Sequence, residues 1–250
     1  SASGAWGGSK PTSGSESTSP PQTSTYTLTC SGPGGSVNVS ATVTVNQPPS
    51  ATNLLVAQPD YCASGPAAFF SWTFQDSGDS QSAYRVQVDN NSGFSSPEDD
   101  SGKVGSGSQN YATPLGRLSY GNTYFWRLMV WDSKDLESSW ISGSSFATPA
   151  HAYPGINFSW IPLEPSQDEQ TQFTDQSTVF GGSTKSAWSW TFQSGDPSSS
   201  TQQNPITKFT SPGSKTITLR VTDSSGFACQ GSKTLQAQLP LPEWEEIAPF

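Results

Sequence analysis

The sequence predicts an all-β chain of antiparallel β-sandwiches in tandem, with an incomplete N-terminal module and an extended C-terminal tail. Three observations predict it. Short runs alternate apolar and polar residues, the period of half-buried strands, and helical periodicity is nearly absent before the last dozen residues. The runs are separated by Gly, Pro, Asn, Asp and Ser, which supply the backbone conformations that turns require. The 250 residues include 9 Trp, 13 Phe and 7 Tyr, although hydrophobic residues make up only 32%. Bulky aromatics anchor small sandwich cores, and so low an apolar total does not fill one large core.

Pro48-Pro49 and Thr148-Pro149-Ala150 are the clearest breaks. They divide the chain into residues 1–46, 47–149 and 150–238 and a tail of 239–250. The first part opens with a loop-like Gly/Ser/Thr/Pro stretch to about Ser24. Tyr26, Leu28 and Cys30 then share one strand face, and after Gly32-Pro33-Gly34-Gly35 so do Val37, Val39, Ala41, Val43 and Val45. This is a hairpin, and two or three strands do not bury a sandwich core alone. In the second part, strands are expected at about 68–74, 83–88, 122–131 and 143–147. The run from Tyr124 to Trp131 is bulky on both faces. It reads as a central strand with Tyr124, Trp126, Leu128 and Val130 on one face, and with its other face covered by Trp140 and loops. In the third part, strands are expected at about 156–160, 171–175, 187–192, 206–209, 215–223 and 233–236. Ile217, Leu219 and Val221 face inward after the turn Ser211-Pro212-Gly213. In the tail, Leu241, Trp244, Ile247 and Phe250 recur every third residue among prolines. That spacing fits one edge of a polyproline-type segment that docks on the third part or on a neighbour, so these four are candidate assembly contacts.

The formal net charge of −9 repels phosphate backbones and offers no polybasic membrane patch, which argues against nucleic-acid and anionic-membrane partners. No apolar run is long enough to span a bilayer. Ser1 reads as a processed or truncated start. The three cysteines, Cys30, Cys62 and Cys229, form no CxxC pair, and an odd number leaves at least one thiol without an intrachain partner. One reading is buried free cysteines packed as small apolar groups; the other is a partner outside this chain.

Catalytic chemistry finds little support. A Ser-His-Asp or Cys-His arrangement needs a histidine base, and the single histidine, His151, lies in an interdomain stretch with no implied pocket. No Gly-rich phosphate loop with a lysine occurs. Glu98-Asp99-Asp100, and Asp76 with Asp79, have the oxygens calcium takes, but ordinary turn chemistry explains them better, so no cofactor is expected. Glu243, Glu245 and Glu246 imply no cleft for a glycosidase pair. Trp131, Trp140 and Trp188 are candidates for stacking on sugar rings, against the more frequent role of core tryptophan.

Family resemblances sharpen this. Phe173-Thr174-Asp175, Trp188-Ser189-Trp190-Thr191-Phe192, Gln203-Asn204-Pro205, the run from Ser211 to Asp223 and Gly226 resemble a polycystic-kidney-disease (PKD) domain. One departure is that Gln193-Ser194-Gly195-Asp196-Pro197 stands where that family has Gly-Asp-Gly, which implies an altered hairpin. Tyr84-Arg85-Val86-Gln87-Val88, Asp100 to Val104, Tyr124 to Asp132 and Ser138-Ser139-Trp140 make the second part similar to fibronectin type III-like domains, especially those beside the catalytic domains of bacterial sugar hydrolases. Gly7 to Pro11, Tyr26 to Cys30 and Gly32 to Gly35 resemble the second half of a bacterial Ig-like repeat. In that repeat an earlier cysteine pairs with the position of Cys30, which implies an intermolecular or upstream disulfide here. The module order and the ending Trp244 to Phe250 resemble large surface proteins of uncultivated small-genome bacteria.

Together the resemblances imply tandem immunoglobulin-like sandwiches and an extracellular, non-enzymatic role. The preferred expectation is a subunit or segment of a cell-surface fibre, with self-association or neighbouring surface-protein segments as partners. The alternatives are a monomeric adhesin with a host-cell or glycan ligand and an accessory arm of a secreted hydrolase.

Overall fold

The computed structural model describes residues 1–4 and 6–239; the expectation for Leu241, Trp244, Ile247 and Phe250 lies outside them. Every regular element among the described residues is a strand. The chain has two compact units. One holds Ser1–Ala57, Phe69–Ala112 and Tyr124–Phe146; the other holds Gln58–Ala68, Thr113–Thr123 and the described residues from 147 to 239.

In the first unit, β1 (Ala2–Gly4), β2 (Ser24–Gly32) and β3 (Gly35–Val43) form a three-stranded antiparallel sheet in that order. The hairpin register sets Cys30 opposite Val37, Leu28 opposite Val39 and Tyr26 opposite Ala41. Because side chains alternate, all six share one face. The other face is polar, with hydroxyl pairs Thr25–Thr42 (3.0 Å), Thr27–Ser40 (2.9 Å) and Ser31–Ser36 (2.8 Å). Trp6 meets Tyr26 edge to face at 6.4 Å and covers that end of the apolar face. The other end is bare: Val37 is 65% exposed and Val39 63%.

The same unit continues with β4 (Ser50–Ala57), β5 (Phe69–Gln75), β6 (Gln81–Asp89), β7 (Asp99–Asp100), β8 (Asn110–Ala112), β9 (Thr123–Asp132), β10 (Ile141–Ser142) and β11 (Phe146–Ala147). They make two sheets, β4-β5-β8 and β10-β9-β6-β7, with β11 also on β9. Tyr124, Trp126, Leu128 and Val130 of β9 are all buried, as their alternation predicts. Trp126 meets Phe70 of the opposing sheet at 4.4 Å between ring centres and donates its indole N–H to Ser144 O at 3.1 Å. Gly143 lies against that ring: a Cβ there would sit 2.1–2.3 Å from its atoms. Trp72 packs edge-on to Tyr84 at 5.2 Å and donates to Gln81 Oε1 at 2.8 Å, which satisfies a buried amide.

The second unit contains β12 (Phe158–Ile161), β13 (Gln170–Asp175), β14 (Lys185–Phe192), β15 (Gly195–Asp196), β16 (Ser199–Ser200), β17 (Ile206–Phe209), β18 (Gly213–Asp223) and β19 (Ala228–Ala237). Its sheets run β12-β13-β17-β15 and β16-β14-β18-β19. Phe158, Phe173, Trp190, Phe192, Phe209, Ile217, Leu219, Val221 and Leu235 form the core between them. Trp190 donates to Gln202 O at 2.9 Å. The altered hairpin is a sheet switch. After β14 the chain pairs Gly195 with Phe209 in the opposite sheet, then returns so that Ser199 pairs with Thr191. Ser194, at φ 57°, makes the turn, and a Cβ on Gly195 would meet Phe192 Cβ at 2.6 Å.

Candidate functional site

The cysteines give the clearest local chemistry. Cys62 and Cys229 are bonded across a sequence separation of 167, with Cα atoms 5.6 Å apart, an ordinary disulfide span. This corrects the expectation of buried free thiols for these two. Cys30 keeps a free, exposed thiol. Within the second unit the bridge sits in a packed aromatic group. Tyr61 lies 5.5 Å from Tyr153, which stacks on Phe227 at 4.6 Å, two residues before Cys229. Tyr120 flanks Tyr61 at 6.4 Å. Asp60 starts the turn that presents Cys62: its carboxylate accepts the Cys62 N–H at 2.9 Å and its carbonyl those of Ala63 and Ser64. Tyr61 donates to Gln58 Oε1 at 2.7 Å. Burial pushes its phenol up to about 12, with the neighbouring phenols Tyr120 and Tyr153 adding to the shift.

His151 does fall beside a serine and an aspartate. Its Nε2 is 3.0 Å from Ser225 Oγ and 3.9 Å from Asp223 Oδ2. The order is wrong for a charge-oriented base. Nδ1 faces the carbonyl of Ala152 at 2.8 Å and so carries the proton, while the carboxylate stands on the serine's side of the ring. In a catalytic triad the carboxylate must hold the Nδ1 proton. Asp223 is instead a turn residue, accepting the N–H groups of Ser225 and Phe227 at 2.9 and 3.0 Å.

The three tryptophans raised as sugar platforms have their ring surfaces engaged. Arg127 lies over Trp140 at 4.2 Å and over Phe94 at 4.3 Å. Arg85 joins Trp140 from 5.7 Å and binds Asp100 through both Nε and Nη2. Gln87 links the two arginines, accepting from Arg127 Nε at 2.8 Å and donating to Asp100 at 2.7 Å. The outer face of β9 is thus a stacked ladder of cations and rings. The hydrogen bond from Arg85 holds the Asp100 carboxyl well below its usual range, and burial with Arg85 nearby lowers Arg127. Trp131 is buried with Lys103 over it at 4.6 Å. Trp188 packs on the core and donates to Asp175 Oδ2 at 2.8 Å.

The acidic residues sort similarly. Glu98 accepts from Asn90 N–H at 2.8 Å and Asp99 from Tyr111 at 2.7 Å. Asp76, Asp79 and Asp132 bring carboxylate oxygens within 4.8 Å of one another. A cation of the chain itself stands there: Lys134 Nζ pairs with Asp79 and contacts Asn46 Oδ1 at 3.3 Å. Burial works against the Asp132 carboxylate, but hydrogen bonds from the Leu136 and Lys134 N–H groups and from Asn46 outweigh it and lower its pKa.

Residues 63–150 match the model of the Rha78A-like N-terminal immunoglobulin domain, and residues 149–239 match that of the PKD domain. No curated protein matches the chain. Among solved structures, the PKD1 domain of Vibrio anguillarum Epp is 22% identical, covering 35% of this chain and 96% of its own, with a TM-score of 0.31. The fibronectin(III)-like modules of Clostridium thermocellum CbhA are 11% identical over 74% of this chain and 93% of theirs, with a TM-score of 0.32. An α-L-rhamnosidase of Streptomyces avermitilis, complexed with L-rhamnose, is 20% identical over 76% of this chain but only 24% of its own, with a TM-score of 0.34. The family models thus match an Ig-like domain over residues 63–150 and a PKD domain over residues 149–239, in a chain whose regular elements among the described residues are all strands.

Proposed function

We propose that the chain is a non-enzymatic extracellular structural protein, a segment or subunit of a cell-surface fibre assembled through its β-sandwich modules. The observation that carries this reading is β3. It is exposed along its whole length, forms the free edge of its sheet, and presents Val37 and Val39. Between Glu16 and Asp60 the chain has no charged residue, so this edge lacks the lysines and inward charges that block edge-to-edge pairing. In a chain of net charge −9 it is a surface that approaches a second copy without repulsion. Ig-like and PKD modules are typical of extracellular proteins, and the disulfide suits an oxidising compartment. No helix among the described residues is long and apolar enough to cross a membrane.

Light scattering and electron micrographs of the purified chain test this. Polymers that are lost on Val37→Lys with Val39→Lys support it; a monomer at all concentrations overturns it.

A second reading, an accessory arm of a secreted sugar hydrolase, draws on the match of residues 63–150 to a Rha78A-like N-terminal domain. Isolation of the native polypeptide with a linked α-L-rhamnosidase activity would establish it. A native polypeptide without such activity would end it.

A further inference from the structure

The position of the disulfide in the chain assigns a mechanical role. β4 ends at Ala57, just before Cys62, and Cys229 is the second residue of β19. Strands β5 to β18 all lie between the bridged cysteines. The two most enclosed tryptophans, Trp126 and Trp190, lie there too. The two strands outside or at the end of that loop are edge strands: β4 pairs only with β5, and β19 only with β18.

We propose that Cys62–Cys229 is a load-bearing staple that carries tension past the sandwich cores. A pull on the two ends runs along β4 to Cys62, across the S–S bond, and out along β19. The covalent line therefore enters and leaves through the two edge strands. The chain between the cysteines hangs from this line as a closed loop and is not stretched, because extension of a polypeptide requires its two ends to separate. β4 and β19 are free to peel from β5 and β18, but the central strands stay slack. Among the described residues, the hairpin sheet of β1 to β3, the peeled β4 and β19 and the segments beside the bridge are what lengthens under load. The bridge belongs to a packed site: Tyr61 beside Cys62 and Phe227 beside Cys229 are joined through Tyr153. Cys30, the third thiol, is exposed and lies on the stretchable side of the staple.

The test is to pull single full-length chains by their ends, oxidised and then reduced by a phosphine. The bridge encloses a separation of 167 residues, which at ~3.6 Å per extended residue is about 600 Å of chain. The oxidised chain is expected to unfold without releasing that length, and the reduced chain to release it. A Cys62→Ser, Cys229→Ser variant should behave as the reduced chain; if it does not fold, reduction of the folded wild type makes the same comparison. Non-reducing peptide maps should link Cys62 to Cys229 and leave Cys30 open to alkylation. Full-length extension of the oxidised chain, or a Cys62 that alkylates without reductant, overturns the proposal. Single chains suffice, so the outcome is independent of whether the chains assemble into fibres.

Discussion

Lys185 Nζ lies 2.7 Å from Asp175 Oδ2, and the Asp175 side chain is fully enclosed. Trp188 donates to the same oxygen at 2.8 Å, and the Ser177 N–H reaches the other at 2.8 Å. Burial works against this carboxylate, but the hydrogen bonds from Lys185, Trp188 and Ser177 together outweigh it and hold its pKa below the ordinary value. A folded-state pKa below the unfolded one means the carboxylate stabilises the fold fully above the unfolded value near 3.9. That contribution fades as pH falls through the folded value. Asp175→Asn should therefore flatten the acid limb of the stability curve below about pH 4, measured by urea unfolding at successive pH values. Asp175→Ala, which strands a partly buried lysine and a partly buried indole N–H, should cost about 3 kcal/mol.

Tyr61 acts at the other end of the pH scale. Its folded pKa, raised to about 12 by burial and its phenol neighbours, favours the neutral ring. The stabilisation is complete below the unfolded value near 10 and is lost as pH rises through the folded one. Alkaline unfolding of Tyr61→Phe should thus lack the wild type's loss of stability over the range that ends near the folded value. Ultraviolet titration of the wild type should show a phenol ionising with unfolding rather than before it.

Gly143→Ala should damage the core of the first unit. The new Cβ would sit 2.1–2.3 Å from atoms of the fully buried Trp126. Overpacking of this kind costs about 1 to 3 kcal/mol. A lowered thermal midpoint with a changed near-ultraviolet dichroism of Trp126 is the expected signature.

Trp140→Ala removes the ring that Arg127 covers at 4.2 Å and Arg85 at 5.7 Å. A partly desolvated cation–ring contact contributes about 0.5 to 2 kcal/mol, so urea unfolding should shift by that order. Glycan-array binding should be absent for wild type and variant alike, because the guanidiniums already occupy the indole face.

Much of this architecture was legible because alternation writes burial directly into a strand. β9 and β18 keep the period without interruption, and their inward sets, Tyr124 to Val130 and Ile217 to Val221, are buried as read. β4 was not legible. A bulge between Thr52 and Leu55, with Asn53 at φ 51°, breaks its alternation. β7, β10, β15 and β16 are two residues each and exist only because a partner strand is alongside, which no local pattern encodes. Cys62 and Cys229 gave no pairing signal, since contacts across a separation of 167 residues arise from the finished fold. Trp140 was placed correctly over the outer face of β9, but its stacking with Arg127 and Arg85 depends on three separate strands and loops arriving together.

Each unit encloses a tryptophan to 1% exposure, with its indole N–H given to a carbonyl of its own unit: Trp126 to Ser144 and Trp190 to Gln202. These two rings are the most enclosed tryptophans among the described residues and can report on one unit each. Fluorine labelling marks all nine tryptophans, and single Trp126→Phe and Trp190→Phe replacements would assign the resonances of these two. Each would move only when its own core admits water, so the order in which the units open becomes a spectroscopic observable within a single sample.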